Sequence, residues 1–335
     1  MNKKNFYSIV FSFLVACVFL NAGSAWGQGN SRQVLNTIII DPGHGGADPG
    51  ARGQFSTEAA VSLAISLKLG EALARELPET KVIFTRTTDE LPGGGTNINE
   101  ALRYRANLAN QSKGDLFISI HCNAAGARAG GWYAKRITGY RNKTVYVGKG
   151  SKRRKKTVRQ PIYETYWVKN QQHGTETFIW AADRSGFKAE GINQSQEDSE
   201  SGENVTDSAD VLDLHSPEAM IRAQLYEKKY FAKSLLLASF VEEEFVKGGR
   251  TSRGVKQRNE KGIWVLQATG MPSILVETGF ITHTEEEKYI NSEKGQEEIV
   301  TAIMTAIKRY KSQLEGQSAA NQQAQQAQQA PAGTN

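Results

Sequence analysis

The stretch from Thr37 to Gly53 constrains the fold more than any other part of the chain. It opens with the β-branched run T-I-I-I, which no polar residue interrupts and which predicts a buried strand. The run stops at Asp41-Pro42-Gly43, because proline cannot donate a ladder hydrogen bond and the glycines permit unusual backbone angles. His44 follows, just beyond the carboxyl end of the strand. Ligands bind at that end of strands in open α/β sheets, so we interpret His44 as a functional residue.

Residues 1–27 have the pattern of a secretory signal peptide. Two lysines precede an apolar run from Phe6 to Leu20, which is too short for a comfortable membrane span, and small residues follow it. Cleavage after Ala25 and cleavage after Gly27 both fit this pattern. Leu14 to Cys17 also resembles a lipoprotein signal, but the apolar run continues past Cys17, which argues against acylation there. We therefore expect an exported protein that is periplasmic or associated with the cell envelope.

The net charge of +6 comes from one segment of the 335-residue chain. Residues 149–159 carry seven positive charges and no acid, so the rest of the chain is close to neutral. This distribution, together with export, argues against nucleic-acid binding. One interpretation of Lys149 to Arg159 is that they bind an anionic surface, such as membrane headgroups or the wall, by charge alone, and the alternative is a solvated loop. Removal of the leader leaves Cys122 as the only cysteine. No internal disulfide is then available, so the fold depends on its core.

Helix-type and strand-type patterns succeed one another along the chain. The predicted helices are Ser56–Leu77, Asn99–Gln111, Glu218–Lys247, Thr284–Asn291 and Gly295–Leu314. The predicted strands after the first are Lys81–Thr85, Asp115–His121, Thr175–Trp180, Gly262–Leu266 and Ser273–Glu277. Strand–helix–strand units of this length imply parallel pairs with right-handed crossovers. The pattern predicts one α/β domain over residues 34–314, with a mixed, mostly parallel sheet and helices on both faces.

Three segments depart from this pattern. Residues 128–172 are rich in aromatic residues, which predicts an ordered surface insertion rather than a disordered one. Residues 189–214 are rich in Ser, Asp and Glu, with seven acids between Glu197 and Asp213, which is typical of a solvated linker. Residues 315–335 form a Gln/Ala-rich tail of low complexity that we expect to be disordered.

Four side chains are predicted to meet at one edge of the sheet: His44, Glu58, His121 and Glu277. Both histidines end strands, and Glu58 falls in the first turn of a helix that Ser56 or Thr57 can cap. Two histidines and one carboxylate suit a Zn²⁺ ion in a hydrolytic site, with a fourth position left open. The remaining glutamate is then free to move protons. From spacing alone, Glu58 and Glu277 could exchange these two roles.

Several motifs in this chain resemble the zinc-dependent N-acetylmuramoyl-L-alanine amidases, which cleave peptidoglycan during daughter-cell separation. They are D-P-G-H-G-G-A-D-P-G-A at Asp41–Ala51, Glu58 with L-A-I-S-L-K-L at Leu63–Leu69, Thr85-Arg86, L-R-Y-R-A-N at Leu102–Asn107, S-I-H-C-N-A at Ser119–Ala124, G-T-E-T-F at Gly174–Phe178 and V-L-Q-A-T-G-M-P-S-I-L-V-E-T-G-F at Val265–Phe280. The resemblance spans about residues 34 to 314 in the family order. Residues 128–172 have no counterpart in the usual pattern.

The resemblance implies one Zn²⁺ per chain, bound by His44, Glu58 and His121, with Glu277 as the catalytic residue. It implies hydrolysis of the amide between the lactyl group of N-acetylmuramic acid and the L-alanine of the stem peptide. Hydrogen bonds from Asp41 and Asn123 to the zinc ligands are a further expectation.

The resemblance also suggests regulation. Some relatives carry a regulatory helix at the place of the acidic segment, so a protein activator is expected. Carboxylates such as Glu203, Asp207 and Asp210 would then occupy the open metal position until a partner displaces them. A linker that never visits the site is the alternative interpretation.

Two other functional classes compete with this interpretation. One is a cysteine peptidase with Cys122 as the nucleophile. Because neighbouring strand residues point to opposite faces, His121 is badly placed to activate Cys122. The other is a wall-binding or activator protein without catalysis, against which the complete set of four site residues argues.

Overall fold

A computed structural model describes residues 35–180, 217–258 and 262–329 of the chain. The leader with Cys17, and the acidic segment with Glu203, Asp207 and Asp210, lie outside these ranges. One compact unit comprises residues 35–311. The described part of a second unit, residues 312–329, is helical. None of the helices in the described ranges combines the length and hydropathy needed to cross a bilayer.

The described residues form eight strands and six α-helices. The strands are β1 (Thr37–Pro42), β2 (Lys81–Phe84), β3 (Leu116–Asn123), β4 (Gly131–Val147), β5 (Arg154–Lys169), β6 (Thr175–Ile179), β7 (Ser252–Gln257) and β8 (Ser273–Phe280). The helices are α1 (Glu58–Glu76), α2 (Ile98–Gln111), α3 (Pro217–Lys247), α4 (Trp264–Ala268), α5 (Thr284–Asn291) and α6 (Glu293–Gln329).

Six of these strands form one mixed sheet in the order β2-β1-β3-β8-β6-β7. All neighbouring pairs are parallel except β6 and β8, which run antiparallel. Every residue of β1 and β8 is buried, so both faces of the sheet centre are covered by other elements. The predicted fold class, a mixed and mostly parallel α/β sheet, is confirmed.

The helix that carries Glu58 begins as the sequence predicts. Thr57 is the N-cap residue of α1, and its hydroxyl accepts a hydrogen bond from the backbone N–H of Ala60. Glu58 is therefore in the first turn, where a carboxylate also interacts favourably with the helix dipole.

Two local predictions were wrong. Residues predicted as a strand over Gly262–Leu266 instead lead into the short helix α4, because an apolar run this short fits either structure. The tail is helical as far as Gln329 rather than disordered, since Gln and Ala both favour helix and continue α6. Strand β7 was missed because an edge strand with the sequence S-R-G-V-K-Q has no apolar run.

Residues 131–169, inside the segment 128–172, form a second sheet of two long antiparallel strands. Strand β4 has 17 residues and β5 has 16, and they pair along their whole length with one irregularity between Ile137 and Gly139. Most of their side chains are exposed to solvent. We call this element the ribbon.

A buried carboxylate fastens the loop that precedes α1. Glu287 of α5 is fully buried and accepts hydrogen bonds from the backbone N–H groups of Gln54, Phe55 and Ser56 at 2.8, 2.9 and 3.0 Å. The Ser56 hydroxyl donates a fourth bond to it at 2.9 Å. This contact fixes the chain just before Glu58.

Replacing Glu287 with Ala should lower the free energy of unfolding by about 3 kcal/mol, because it removes four partly buried hydrogen bonds that each contribute about 0.5–1.5 kcal/mol. Urea unfolding followed by circular dichroism measures this change. Glu285→Ala is the matched control, since Glu285 lies on the same helix but is exposed and forms only a surface ion pair, with Lys288, among the described residues. Equal stability losses in the two variants would contradict the assigned role of Glu287.

Candidate metal centre

His44 is held in an uncommon backbone conformation at the end of β1. Its φ angle is +58°, in the left-handed region that residues other than glycine rarely adopt. Arg105 of α2 stabilises this turn by donating hydrogen bonds to the carbonyl oxygens of His44, at 2.7 Å, and Pro42, at 2.8 Å. The loop therefore presents the imidazole of His44 at the carboxyl edge of the sheet.

The side chains of His44, Glu58 and His121 converge at this edge. The Glu58 Oε1 atom lies 2.8 Å from His121 Nδ1 and 3.1 Å from His44 Nε2. The two imidazole rings meet edge to face, with centroids 4.9 Å apart. One potential ligand atom from each residue lies within 4.8 Å of the other two. Within the described ranges, no other group of His, Cys, Asp or Glu has this geometry.

Two glycines leave room for these side chains. A Cβ atom at position 43 would lie 2.4 Å from the imidazole of His121. A Cβ atom at position 50 would lie 2.6 Å from the His44 ring and 2.7 Å from Glu58 Oε2, and Gly50 has a φ angle of +63°. A side chain at either position would displace a candidate ligand, so the loop is shaped around the three residues.

Further hydrogen bonds orient the candidate ligands. Nδ1 of His44 forms a hydrogen bond with the Asp48 carboxylate at 2.8 Å. This bond orients the ring so that Nε2 of His44 is directed at the cluster. The backbone N–H groups of Ala51 and Cys122 donate to the two oxygens of Glu58 at 2.9 and 3.1 Å. Burial alone would raise the pKa of Glu58, but hydrogen bonds from His121 and His44 hold that pKa well below its usual range. Glu58 is therefore an ionised carboxylate suited to a cation.

Glu277 lies beside this cluster on β8. It is paired in register with His121 of β3 on one side and with Glu176 of β6 on the other. Its side chain is buried, and its Oε2 atom has no hydrogen-bond partner among the described residues. Burial and the neighbouring charges of Glu58 and Glu176 raise the pKa of Glu277 to about 8. A carboxyl group with that pKa can exchange protons near neutral pH.

These groups line a cavity of about 430 Å³. Its lining also includes apolar residues: Leu91, Ile98, Leu102, Ile263 and Trp264. Arg258 adds a positive charge to the cavity lining. This charge lowers the pKa of Glu277 and so partly offsets the increase caused by burial. The cavity therefore combines titratable site residues with apolar lining residues.

The prediction that Asp41 bonds a candidate ligand side chain was wrong. Among the described residues its carboxylate accepts hydrogen bonds from the hydroxyls of Thr85 and Ser119, at 2.6 and 2.7 Å, and from the guanidinium of Arg105. Arg105 in turn holds the carbonyl of His44. Asp41 supports the site through this buried arginine rather than by direct contact.

Asn123 likewise does not bond His44, Glu58 or His121. The regular pairing of β3 with β8 shifts between His121 and Asn123, which redirects the Asn123 side chain. Its amide donates to Glu176, which also pairs with Lys256 and Arg253. Asn123 therefore belongs to a charge network next to Glu277.

Sequence reasoning missed Asp48 as the partner of His44. The available signal was its position four residues after His44, inside the same glycine-rich loop. The sequence alone does not show which charged residue of the loop lies next to the His44 ring, because that depends on the path of the loop.

The geometry around Cys122 is unsuitable for a nucleophile. The residue is almost completely buried, and its Sγ atom lies 3.5 Å from the hydroxyl of Thr278. Burial and the charge of Glu58 raise the pKa of the thiol well above its ordinary value. A reactive cysteine needs an accessible thiolate, so this structure disfavours the cysteine-peptidase alternative.

Comparison with known proteins places this site in a family. The profile described as Amidase_3, N-acetylmuramoyl-L-alanine amidase, matches residues 38–309. The chain is 28% identical over 285 residues to the N-acetylmuramoyl-L-alanine amidase AmiC of Escherichia coli O6:H1, covering 84% of this chain and 54% of that protein. It is 39% identical over 89 residues to the sporulation-specific N-acetylmuramoyl-L-alanine amidase of Bacillus subtilis, covering 27% of this chain and 32% of that protein.

A crystal structure of an N-acetylmuramoyl-L-alanine amidase from Clostridium difficile 630 aligns with a TM-score of 0.49 and 23% identity, covering 82% of this chain and 96% of that one. The chain spans about half the length of the AmiC relative that it matches. Because the family profile covers most of the chain, including the candidate metal centre, the chain belongs to the N-acetylmuramoyl-L-alanine amidase family, Amidase_3.

Proposed function

We propose that this protein is a zinc-dependent N-acetylmuramoyl-L-alanine amidase. The proposed reaction is hydrolysis of the amide that joins the lactyl group of N-acetylmuramic acid to the L-alanine of the peptidoglycan stem peptide. One observation carries the proposal: three convergent metal-ligand side chains lie beside a buried carboxyl group whose pKa is raised to about 8. Family membership supplies the substrate class.

Zn²⁺ fits the three residues better than the other common metals. Two imidazoles and one carboxylate are borderline ligands that suit zinc, whereas magnesium and calcium prefer oxygen ligands. Three protein ligands also leave a coordination position for catalysis. His44, Glu58 and His121 would hold one ion per chain. When bound, the ion would lower the pKa of a water molecule towards ~7 and polarise the substrate carbonyl.

Glu277 is the proposed proton carrier. A bound metal ion would lower the pKa of Glu277, because a nearby positive charge favours the ionised carboxylate. The Oε2 atom of Glu277, which has no hydrogen-bond partner among the described residues, would then accept the proton of the attacking water and later deliver it to the leaving amine of L-alanine. The loop fixed by Arg105 and Glu287 keeps His44 and Glu58 in position. The positive charge of Arg258 in the cavity is suited to hold a carboxylate of the stem peptide.

The proposed place of action is the cell wall, after export, in wall remodelling and daughter-cell separation. The leader-type sequence of residues 1–27 supports export. The names of the relatives refer to amidases of peptidoglycan components. In a bacterium with two membranes the compartment would be the periplasm.

Digestion of purified sacculi tests the activity directly. The proposal expects free stem peptides and intact glycan strands by mass spectrometry. It also expects loss of activity with a chelator and no loss with a thiol alkylating agent. Glycan fragments, or cleavage within the stem peptide, would assign a different bond. Sensitivity to alkylation without sensitivity to the chelator would restore the cysteine-peptidase alternative.

We also propose that the acidic segment restrains the enzyme until a protein activator binds. Its support is the concentration of seven acids between Glu197 and Asp213, since an open metal position attracts carboxylates. Deleting residues 197–213 should raise the basal rate of sacculus hydrolysis without any partner. A deletion protein that folds, binds zinc and hydrolyses no faster than the parent would identify the segment as a linker.

A further inference from the structure

The ribbon has a strongly basic outer half. Residues 141–159, which we call the ribbon tip, contain nine Lys and Arg residues and no Asp or Glu. Within the described part of the chain, the two strands pair only with each other and form a sheet separate from the six-stranded one. At about 3.4 Å per residue, the 17 residues of β4 extend over about 55 Å, and the tip is the outer part of this length. The tip is therefore an extended positive surface whose side chains are mostly exposed.

Two tyrosines and two basic residues share one face of the ribbon, in and next to the tip. Tyr146 is directly opposite Lys155, Asn142 opposite Arg159, and Tyr140 opposite Pro161. Directly opposite residues share a face, and every second residue along a strand does so too. Tyr140, Tyr146, Lys155 and Arg159 therefore lie on the same face.

The arginines at the tip are stacked on these tyrosines. The guanidinium of Arg159 lies 4.6 Å from the ring centroid of Tyr140, and that of Arg153 lies 4.6 Å from that of Tyr146. Such contacts help to order an exposed two-stranded sheet, which is otherwise only marginally stable. They also keep the N–H groups of both guanidinium ions in solvent, where they can bind anionic oxygens.

Apolar side chains are exposed where the ribbon turns. Tyr146 is 53% exposed and Val147 is 52% exposed, and Lys149, Lys152 and Arg153 follow closely. Tyrosine favours the boundary between water and lipid because its ring is apolar and its hydroxyl polar. Cations next to such residues bind the headgroups of anionic lipids.

We propose that the ribbon tip docks the enzyme on the surface of an anionic lipid bilayer, with Tyr146 and Val147 entering the headgroup region. A neutral glycan strand would make no use of nine positive charges, and sugar binding favours free aromatic faces and acidic hydrogen-bond groups. One face of Tyr146 and one face of the neighbouring Tyr140 are covered by arginine, and the tip contains no carboxylate. The sequence predicts an interaction by charge alone, and the exposed Tyr146 and Val147 add an apolar contribution.

Co-sedimentation of the purified protein with phosphatidylglycerol-containing vesicles and with pure phosphatidylcholine vesicles tests the proposal. Binding is expected only to the anionic vesicles. Replacing Lys152, Lys155 and Lys156 with Gln should weaken that binding by about 100-fold, since each surface cation contributes about fivefold. The matched control replaces the exposed lysines Lys81, Lys228 and Lys294 with Gln. It removes the same charge from the body and should leave binding within about twofold.

A second pair of variants isolates the apolar contribution. Tyr146→Gln with Val147→Gln should weaken binding to anionic vesicles by about tenfold, roughly the effect of partly burying two such side chains. The control, Ile221→Gln with Leu225→Gln, removes apolar side chains on α3 that are 58% and 62% exposed and should change little. Raising the ionic strength from about 0.1 M to about 1 M should weaken binding steeply, because the Debye length falls from about 10 Å to about 3 Å.

Three results would overturn the proposal. The lysine variants of the tip and of the body could bind anionic vesicles equally well. The apolar pair at the tip could have no effect. The tip variants could lose binding to purified sacculi while vesicle binding is unchanged, which would make the wall the partner. Hydrolysis of soluble peptidoglycan fragments should be the same in all variants, so failure of the docking proposal is distinguishable from failure of the proposed activity.

Discussion

Replacing Glu277 with Gln should slow amide hydrolysis by about 10²–10⁴-fold while the protein retains one zinc ion per chain. This range is the usual contribution of a positioned general base. Glutamine fits the same buried space between His121 and Glu176 but cannot accept a proton. The three candidate ligands are on other elements, so the metal should remain. Turnover on purified sacculi and metal analysis of the same preparation provide the two measurements.

The same substitution should change how the stability of the metal-free protein depends on pH. The pKa of Glu277 is about 8 in the folded protein against an ordinary value of 4.5, so the folded protein binds a proton that the unfolded chain releases between these pH values. The stability due to this proton is complete below about pH 4.5 and is lost as the pH rises through about 8. Glu277→Gln should remove that loss. Near-normal turnover, or an unchanged pH profile of stability, would contradict the environment assigned to Glu277.

Replacing His44 or His121 with Ala should remove the zinc and the activity together. Each substitution deletes one of three ligand atoms and leaves Glu58 as a buried carboxylate with one histidine partner fewer. Metal content after dialysis, measured beside sacculus hydrolysis, tests the expectation. His173→Ala is the control, because His173 is exposed and lies outside the cavity. A His44 variant that keeps full zinc content would remove His44 from the metal centre.

Asp48→Asn provides a graded version of this experiment. Asp48 holds Nδ1 of His44 at 2.8 Å and does not belong to the three-residue cluster. Partners of this kind typically contribute about 10–100-fold in metal affinity. The variant should therefore lose activity at limiting zinc and recover it at excess zinc. If the activity of the variant does not recover at saturating zinc, Asp48 acts in a step other than metal binding.

The parts of the fold that the sequence predicts are those with local patterns. The buried run before Asp41 and the apolar spacing of α1 each specify one element, and parallel strands bring His44 and His121 to one edge. The contact of Glu287 with the loop at Gln54 joins residues more than 230 positions apart, and no periodicity encodes it.

The local errors have similar physical causes. The run before Leu266 is too short for its periodicity to separate helix from strand. Strand β7 is held by its neighbour β6 rather than by an apolar pattern of its own. Asp41 was assigned to the wrong partner because its direction depends on the buried Arg105 of a later helix.

The position of Glu287 has a consequence for the order in which the chain is made. The loop before α1 is among the first structured segments to be synthesised, but its backbone N–H groups have no carboxylate partner until residue 287 follows. Strand β8, which lies between β3 and β6 and carries Glu277, is also synthesised late. A nascent or truncated chain therefore contains both histidines and Glu58 but lacks the groups that lock and complete the site. We expect a chain truncated before Ser273 to show no hydrolysis, although it still contains all three candidate ligands.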